Sequence, residues 1–263
     1  MTAAAGGDGR RLLSLDLWHT LVYLEPDDEE AYMRGQVDLA TRLLEASPIE
    51  PESARVSPSD LRSTFERVYA GAVEASQQGR SVTPAQQIAD AGQRTGRQVD
   101  PAAYIAGLRE LVGRTRFLPA PGAFEVVRDL KADGWRTAVI SNTVGEPGAT
   151  LRPVLHRLGL DPLVDAFVFS DEEPWTKPAP EIFREATDRL GVAPERTVHV
   201  GDGWVDIEGA KRAGLRAGIL YTGLQRYGAK YRSLFLPPGW SEPATPYRFD
   251  RWSELPGLLA EFR

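Results

Sequence analysis

Three observations predict an α/β fold with a doubly wound parallel sheet, interrupted early by an all-helical block. Short apolar runs alternate with amphipathic stretches from residue 118 onward, which is the pattern of strand–helix–strand units. Four of the strand-like runs have a polar or charged residue at or soon after their exit: Asp16, Ser141, Lys177 and Asp202. Between Asp27 and Arg116 only helical patterning is present.

Taken in order, Leu12, Leu13 and Leu15 form the first strand, which delivers Asp16. Glu25, Pro26, Asp27 and Asp28 read as a helix entry, with acids at the positive end of the dipole. Helices follow over Tyr32–Leu44, Pro58–Ala75, Pro84–Gly92 and Pro101–Val112, several of them opened by proline. Leu61, Phe65, Val68, Tyr69 and Val73 recur at helical spacing, so this helix is amphipathic and packs on its neighbours. The proline-punctuated segment Arg116–Gly122 returns the chain to alternating elements. The expected boundaries are therefore a core of residues 1–24 and 118–263, with a helical insertion at 25–117.

Beyond it, helices are predicted over Ala123–Asp133, Ala149–Leu158, Pro180–Leu190 and Trp204–Ala213. Strands are predicted over Arg136–Ile140, Ala166–Phe169, Thr197–Val200 and Ala217–Tyr221. Tyr221–Pro246 has no clear period and reads as a long loop over one end of the sheet. An edge strand at Tyr247–Phe249 and a helix over Ser253–Phe262 close the chain, and the first ten residues read as a mobile tail.

Composition narrows the function classes. At 263 residues with 42% hydrophobic content, the chain can bury a real core. A net charge of −6 with interspersed signs gives no basic stripe for nucleic acid. The absence of cysteine excludes disulfides, thiolate metal sites and a Cys nucleophile, and it fits a reducing, cytoplasmic setting. No apolar run approaches the length of a membrane span, and MTAAAGGDGRR lacks the apolar middle of a signal peptide. The expected partner is a small molecule, and the expected assembly a monomer or homodimer.

A carboxylate at the exit of a buried strand is costly unless a metal, a cation or hydrogen-bond donors compensate it. Parallel strands bring their exits to one edge, where open α/β sheets bind ligands. Ser141, Lys177 and Asp202 are thus the expected company of Asp16. Four stretches in this order, DLWHTL (Asp16–Leu21), VISNT (Val139–Thr143), TKPAPEIF (Thr176–Phe183) and HVGDGWVDIEGAKRAG (His199–Gly214), resemble the haloacid dehalogenase superfamily.

The resemblance implies a Rossmann-like core with a helical cap, and a Mg²⁺-dependent hydrolase acting on a small phosphorylated metabolite. It makes Asp16 the nucleophile, Lys177 the neutralising cation, and Ser141 with its neighbour Asn142 the groups that bind the transferring oxygens. It assigns the metal to Asp16, Asp202, Asp206 and the backbone carbonyl of Trp18.

Trp18 departs from that pattern, because phosphatases of the superfamily carry a second Asp there as general acid–base. An indole cannot perform that transfer. His19 is the nearest group that titrates in the right range. Two alternatives stay open: a metal-independent dehalogenase, whose pattern has an aromatic Tyr at this position, and a degenerate member that binds a phosphorylated ligand without turnover. Against the former, Asp202 keeps a metal-ligand carboxylate beside Asp16. Trp175 and Trp204 neighbour site residues as packing or pocket walls, His156 and His199 read as structural, and Asp27, Asp28, Glu29 and Glu30 as a solvated helix start.

Overall fold

The computed structural model describes residues 10–49, 56–225, 227 and 245–262. Strand β1 (Arg11–Leu15) is followed by the two-residue β2 (Val22–Tyr23) and by four helices, α1 (Pro26–Ala46), α2 (Pro58–Gln77), α3 (Pro84–Thr95) and α4 (Pro101–Arg114). Each of the four starts on a proline whose missing N–H is no loss in a first turn. Three also have side-chain caps: Ser57 accepts from the Asp60 N–H, Thr83 forms a reciprocal box with Gln86, and Asp100 accepts from the Ala102 N–H. The four bury an apolar cluster of their own, including Leu44, Leu61, Phe65, Ile88, Tyr104 and Leu108.

The chain then alternates β3 (Leu118–Pro119), α5 (Ala123–Ala132), β4 (Trp135–Ser141), α6 (Gly148–Leu158), β5 (Ala166–Phe169), α7 (Pro180–Leu190), β6 (Thr197–Gly201), α8 (Trp204–Arg212) and β7 (Ala217–Tyr221). It ends with β8 (Arg248–Phe249) and the short α9 (Leu255–Leu259) between 3-10 turns at Trp252–Glu254 and Ala260–Phe262. Six strands form one sheet in the order β5-β4-β1-β6-β7-β8, every neighbouring pair parallel. The strand order reverses on either side of β1, so the exit of β1 is the switch point where α/β sheets take ligands.

Both faces of the sheet are covered. Leu13 and Leu15 pack toward α5, α6 and α9, and Leu12 packs toward α7 and α8. A strand buried on both faces has to be apolar at consecutive positions, which is why RLLSL carries no alternation. Ser14 is the polar exception and is fully buried.

β2 and β3 were not foreseen. They pair antiparallel, Val22 with Pro119 and Tyr23 with Leu118, and clasp the two crossings between the sheet and the helical insert. The predicted edge strand is present as β8, parallel to β7, while the predicted single C-terminal helix is a five-residue α-helix flanked by 3-10 turns. The expected tail and most of the expected 221–246 loop lie outside the described residues. No helix among the described residues is long and apolar enough to cross a membrane.

Candidate active site

Asp16 follows the last residue of β1, and its N–H continues the ladder to the Val200 carbonyl of β6 at 2.8 Å. The residue is buried, 6% exposed. One carboxylate oxygen accepts from Lys177 Nζ and the other from Thr20 Oγ1 at 3.2 Å. Lys177 arrives from the loop after β5 and also reaches Asp206 Oδ1 at 2.7 Å. Asp16, Asp202 and Asp206 each offer a carboxylate oxygen, and these oxygens lie within 4.8 Å of one another. Hard oxygen donors in a buried group of three suit a divalent cation such as Mg²⁺.

Burial pushes the Asp16 carboxyl up to about 7; Lys177 opposes this, while Asp206 and Asp202 reinforce it. Burial acts the same way on Asp206, but there Lys177 and His199 win and hold it below the usual carboxylate range. Burial disfavours the Lys177 ammonium, yet the two carboxylates it touches leave its pKa above the ordinary value. The ion pair in this cluster is therefore Lys177 with Asp206, and Asp16 is the carboxyl whose charge lacks full compensation.

The Gly201–Asp202 turn is shaped around Asp206. A Cβ on Gly201 would lie 2.2 Å from Asp206 Cγ, so only glycine lets the helix-borne carboxylate come that close. The Gly203 N–H donates to Asp206 Oδ2 at 3.0 Å. Ser141, the last residue of β4, is fully buried, and its Oγ has no hydrogen-bond partner. Such a hydroxyl is a donor waiting for an acceptor. Asn142 differs: its amide accepts from the Lys177 N–H at 2.8 Å and donates to the Lys177 carbonyl at 2.9 Å, bracing the lysine's backbone.

Trp18 is half-buried. Its indole N–H donates to Glu146 Oε1 at 3.0 Å, and Glu146 Oε2 accepts from Tyr32 at 3.1 Å and from Gln36 at 3.1 Å, both on α1. Glu146, in the loop after β4, was not singled out from sequence. It is 4% exposed, and burial pushes its carboxyl up to about 7 against the three hydrogen bonds. Glu146, Trp18, Tyr32, Gln36 and Tyr69 line a cleft between core and helical insert that encloses about 310 Å³, open solvent at its mouth included.

Several sequence readings need correction. Glu29 is not a solvated acid: its side chain is 13% exposed and pairs with His19 Nε2 at 2.9 Å. His19, the nearest titrating group to the place of the missing acid, pairs with Glu29 at a turn position with φ of 55°, in keeping with its reading as a turn histidine. His199 is more than packing, since Nε2 lies 3.1 Å from Asp206 Oδ1 and Nδ1 2.9 Å from Ser14 Oγ. His156 is exposed and bonds Asp161. Neither Trp175, which is 42% exposed, nor Trp204, which faces Arg212, lines the cleft.

Residues 11–214 match the haloacid dehalogenase-like hydrolase family. The chain belongs to that family. It is 42% identical over 102 residues to the glyceraldehyde 3-phosphate phosphatase of Methanothermobacter thermautotrophicus, covering 38% of this chain and 43% of that one. It is 38% identical over 103 residues to a phosphoglycolate phosphatase of Cereibacter sphaeroides, covering 39% and 45%. The matches thus span under half the length of these curated relatives. Among solved structures, a HAD phosphatase from Thermococcus onnurineus superposes with a TM-score of 0.63 at 18% identity, over 95% of this chain and 97% of that one, a likeness of fold. A doubly wound, Rossmann-like α/β core of this superfamily is what the four sequence stretches implied.

Proposed function

We propose that this haloacid dehalogenase-like hydrolase is a Mg²⁺-dependent phosphatase of a small phosphorylated metabolite, with Asp16 as nucleophile and residues 25–117 as its cap. One observation carries the reading: three carboxylates offer oxygens within 4.8 Å of one another, and the lysine among them bonds two, Asp16 and Asp206. With all three ionised the formal charge is −3 + 1 = −2, which a divalent cation cancels. At an effective dielectric near 20, each carboxylate pair at that separation repels by about 3 kcal/mol, and Lys177 leaves the cluster with a net negative charge. A metal-free dehalogenase has no use for such a cluster.

Asp16, Asp202 and the Trp18 backbone carbonyl would hold the cation. Both Asp206 oxygens are already engaged by Lys177, His199 and Gly203, so Asp206 suits support through water. When bound, Mg²⁺ supplies the positive charge that lets an anionic carboxylate meet an anionic phosphate. Asp16 then attacks phosphorus in line, the ester P–O bond breaks, and the alcohol oxygen leaves with the electron pair. Ser141 Oγ donates to a phosphoryl oxygen while Lys177 neutralises charge between it and Asp16. Water attacks the phosphorus of the aspartyl phosphate, the P–O bond to Asp16 breaks, and the water's proton passes to the departed alkoxide or to solvent, releasing phosphate and regenerating Asp16.

Trp18 Nε1–H is too weak an acid to protonate a leaving group near neutral pH, so the enzyme should favour esters whose alcohols leave without full protonation. Phosphate release should be measured on a panel that includes p-nitrophenyl phosphate, in Mg²⁺ and in EDTA, for the wild type and Asp16→Asn. Magnesium-dependent release abolished by the substitution is expected. Halide release from 2-haloacids in EDTA would favour the dehalogenase reading instead, and ligand-induced stabilisation with no product would favour a binding member.

A further inference from the structure

The cleft lined by Trp18, two residues after the proposed nucleophile, has an uncommon charge balance. Apart from the phenols of Tyr32 and Tyr69, its titratable lining groups are Glu146, Glu29 and His19, and the last two are paired with each other. It includes neither lysine nor arginine. Lys177, the nearest ammonium in the site, is committed to Asp16 and Asp206. Trp18, Tyr32 and Tyr69 add aromatic surface, with the Trp18 and Tyr32 rings 6.3 Å apart.

The hydrogen bonds around Glu146 favour its ionised form. Trp18 Nε1 and Gln36 Nε2 can only donate, and they reach different carboxylate oxygens. Donors on both oxygens stabilise the carboxylate against the burial that pushes its carboxyl up. Two walls of the cleft begin close to the reacting groups: Trp18 lies two residues after Asp16, and Glu146 lies five after Ser141. The opposite wall, Tyr32, Gln36 and Tyr69, comes from the helical insert. An alcohol displaced in line from a phosphorus at Asp16 departs away from the nucleophile and has to be housed on the insert side.

We infer, resting on the phosphatase reading above, that Glu146 is a specificity-determining residue and that the cleft selects phosphomonoesters of small amino alcohols while rejecting those whose leaving group carries a second anion. An ammonium gains from one desolvated carboxylate and from aromatic faces. A carboxylate in the same place meets a like charge with no cation to pair it, which is discrimination by repulsion. Phosphoglycolate, the substrate named for one relative, belongs to the rejected class.

The test separates binding from turnover. Thermal shifts of Asp16→Asn are recorded in Mg²⁺ at pH 8, where Glu146 is ionised, with O-phosphoethanolamine, glycerol 3-phosphate and phosphoglycolate. Apparent affinity is expected to fall in that order, by at least about tenfold from first to last. The Glu146→Gln change made on that background should narrow the ratio severalfold, chiefly by improving phosphoglycolate. Phosphoglycolate binding as tightly as phosphoethanolamine, an unchanged ratio in folded Glu146→Gln, or no shift with any ester would each overturn the inference, and the unsubstituted ranking decides it if that variant does not fold. Ordered binding without phosphate release by the wild type would overturn the phosphatase reading alone, whereas turnover led by phosphoglycolate would overturn only the specificity.

Discussion

A single chain of side chains, Ser14–His199–Asp206–Lys177–Asp16, runs from inside the sheet to the proposed nucleophile. Burial depresses the pKa of His199, so the ring is neutral, and because the Asp206 carboxylate only accepts, the proton sits on Nε2. Ser14 Oγ then donates to Nδ1, fixing the ring. His199 is thus a positioning residue for a proposed metal-supporting carboxylate, and such partners are commonly worth 10- to 100-fold in metal affinity. His199→Phe should weaken Mg²⁺ binding by roughly that factor in a calorimetric titration, and His199→Gln, which keeps a donor, should recover part of it. Equal affinity in folded His199→Phe would sink the assignment. Asp16, Ser141, Lys177 and Asp202 could be grouped from the sequence because each sits at or soon after a strand exit, and Asp206 through the family motif that contains it. His199 was not, since its partnership depends on the β1–β6 register that sets it opposite Ser14. Glu146 was hidden for the same reason: its donors come from Trp18, 128 residues earlier, and from Tyr32 and Gln36, 114 and 110 earlier.

The β6–α8 turn places two of the three clustered carboxylates, and its geometry depends on Gly201 having no side chain. Gly201→Ala puts a Cβ 2.2 Å from Asp206 Cγ, backed by the buried Lys177 and His199 that hold that carboxylate in place. Either Asp206 swings away or the turn opens. Both outcomes should weaken Mg²⁺ binding and phosphate release together, with a stability loss of about 1–3 kcal/mol, typical of overpacking. A variant with unchanged metal affinity and melting temperature would show that the close approach is dispensable. At this scale the long elements could be read directly. Each buried strand is an apolar run, and the insert helices carry proline starts with Ser57, Thr83 and Asp100 as caps. What escaped were β2 and β3, two residues each, because a period of two cannot be recognised in two residues. The C-terminal helix was overestimated because its apolar spacing suits 3-10 turns as well as an α-helix.

Across the whole molecule, the insert and core close on each other through groups that flank the site. Gln87 donates to the Val144 carbonyl at 2.7 Å, Thr176 Oγ1 to the Ser76 carbonyl at 2.8 Å, and Gln36 to the Gly145 carbonyl at 3.2 Å. Relieving the charge in the site should therefore stabilise both parts at once, and the effect should depend on pH. Without metal, burial holds the Asp16 carboxyl at about 7 in the folded state against an ordinary 3.8, so the folded protein holds a proton that the unfolded chain has lost. That contribution is fully present below about 3.8 and is lost as pH rises through about 7, so in EDTA stability should decline across this window. A cation beside Asp16 reverses the preference, and its binding releases the proton. Mg²⁺ at about 100 times its dissociation constant contributes roughly 2.7 kcal/mol. At about 2 °C per kcal/mol for a chain of this size, the melting temperature at pH 8 should rise by about 5 °C. At pH 6 the shift at the same Mg²⁺ concentration should be smaller, because binding must first displace the proton. Asp202→Asn should shrink the pH 8 shift by removing a proposed ligand, whereas an undiminished shift would place Mg²⁺ somewhere other than this carboxylate cluster.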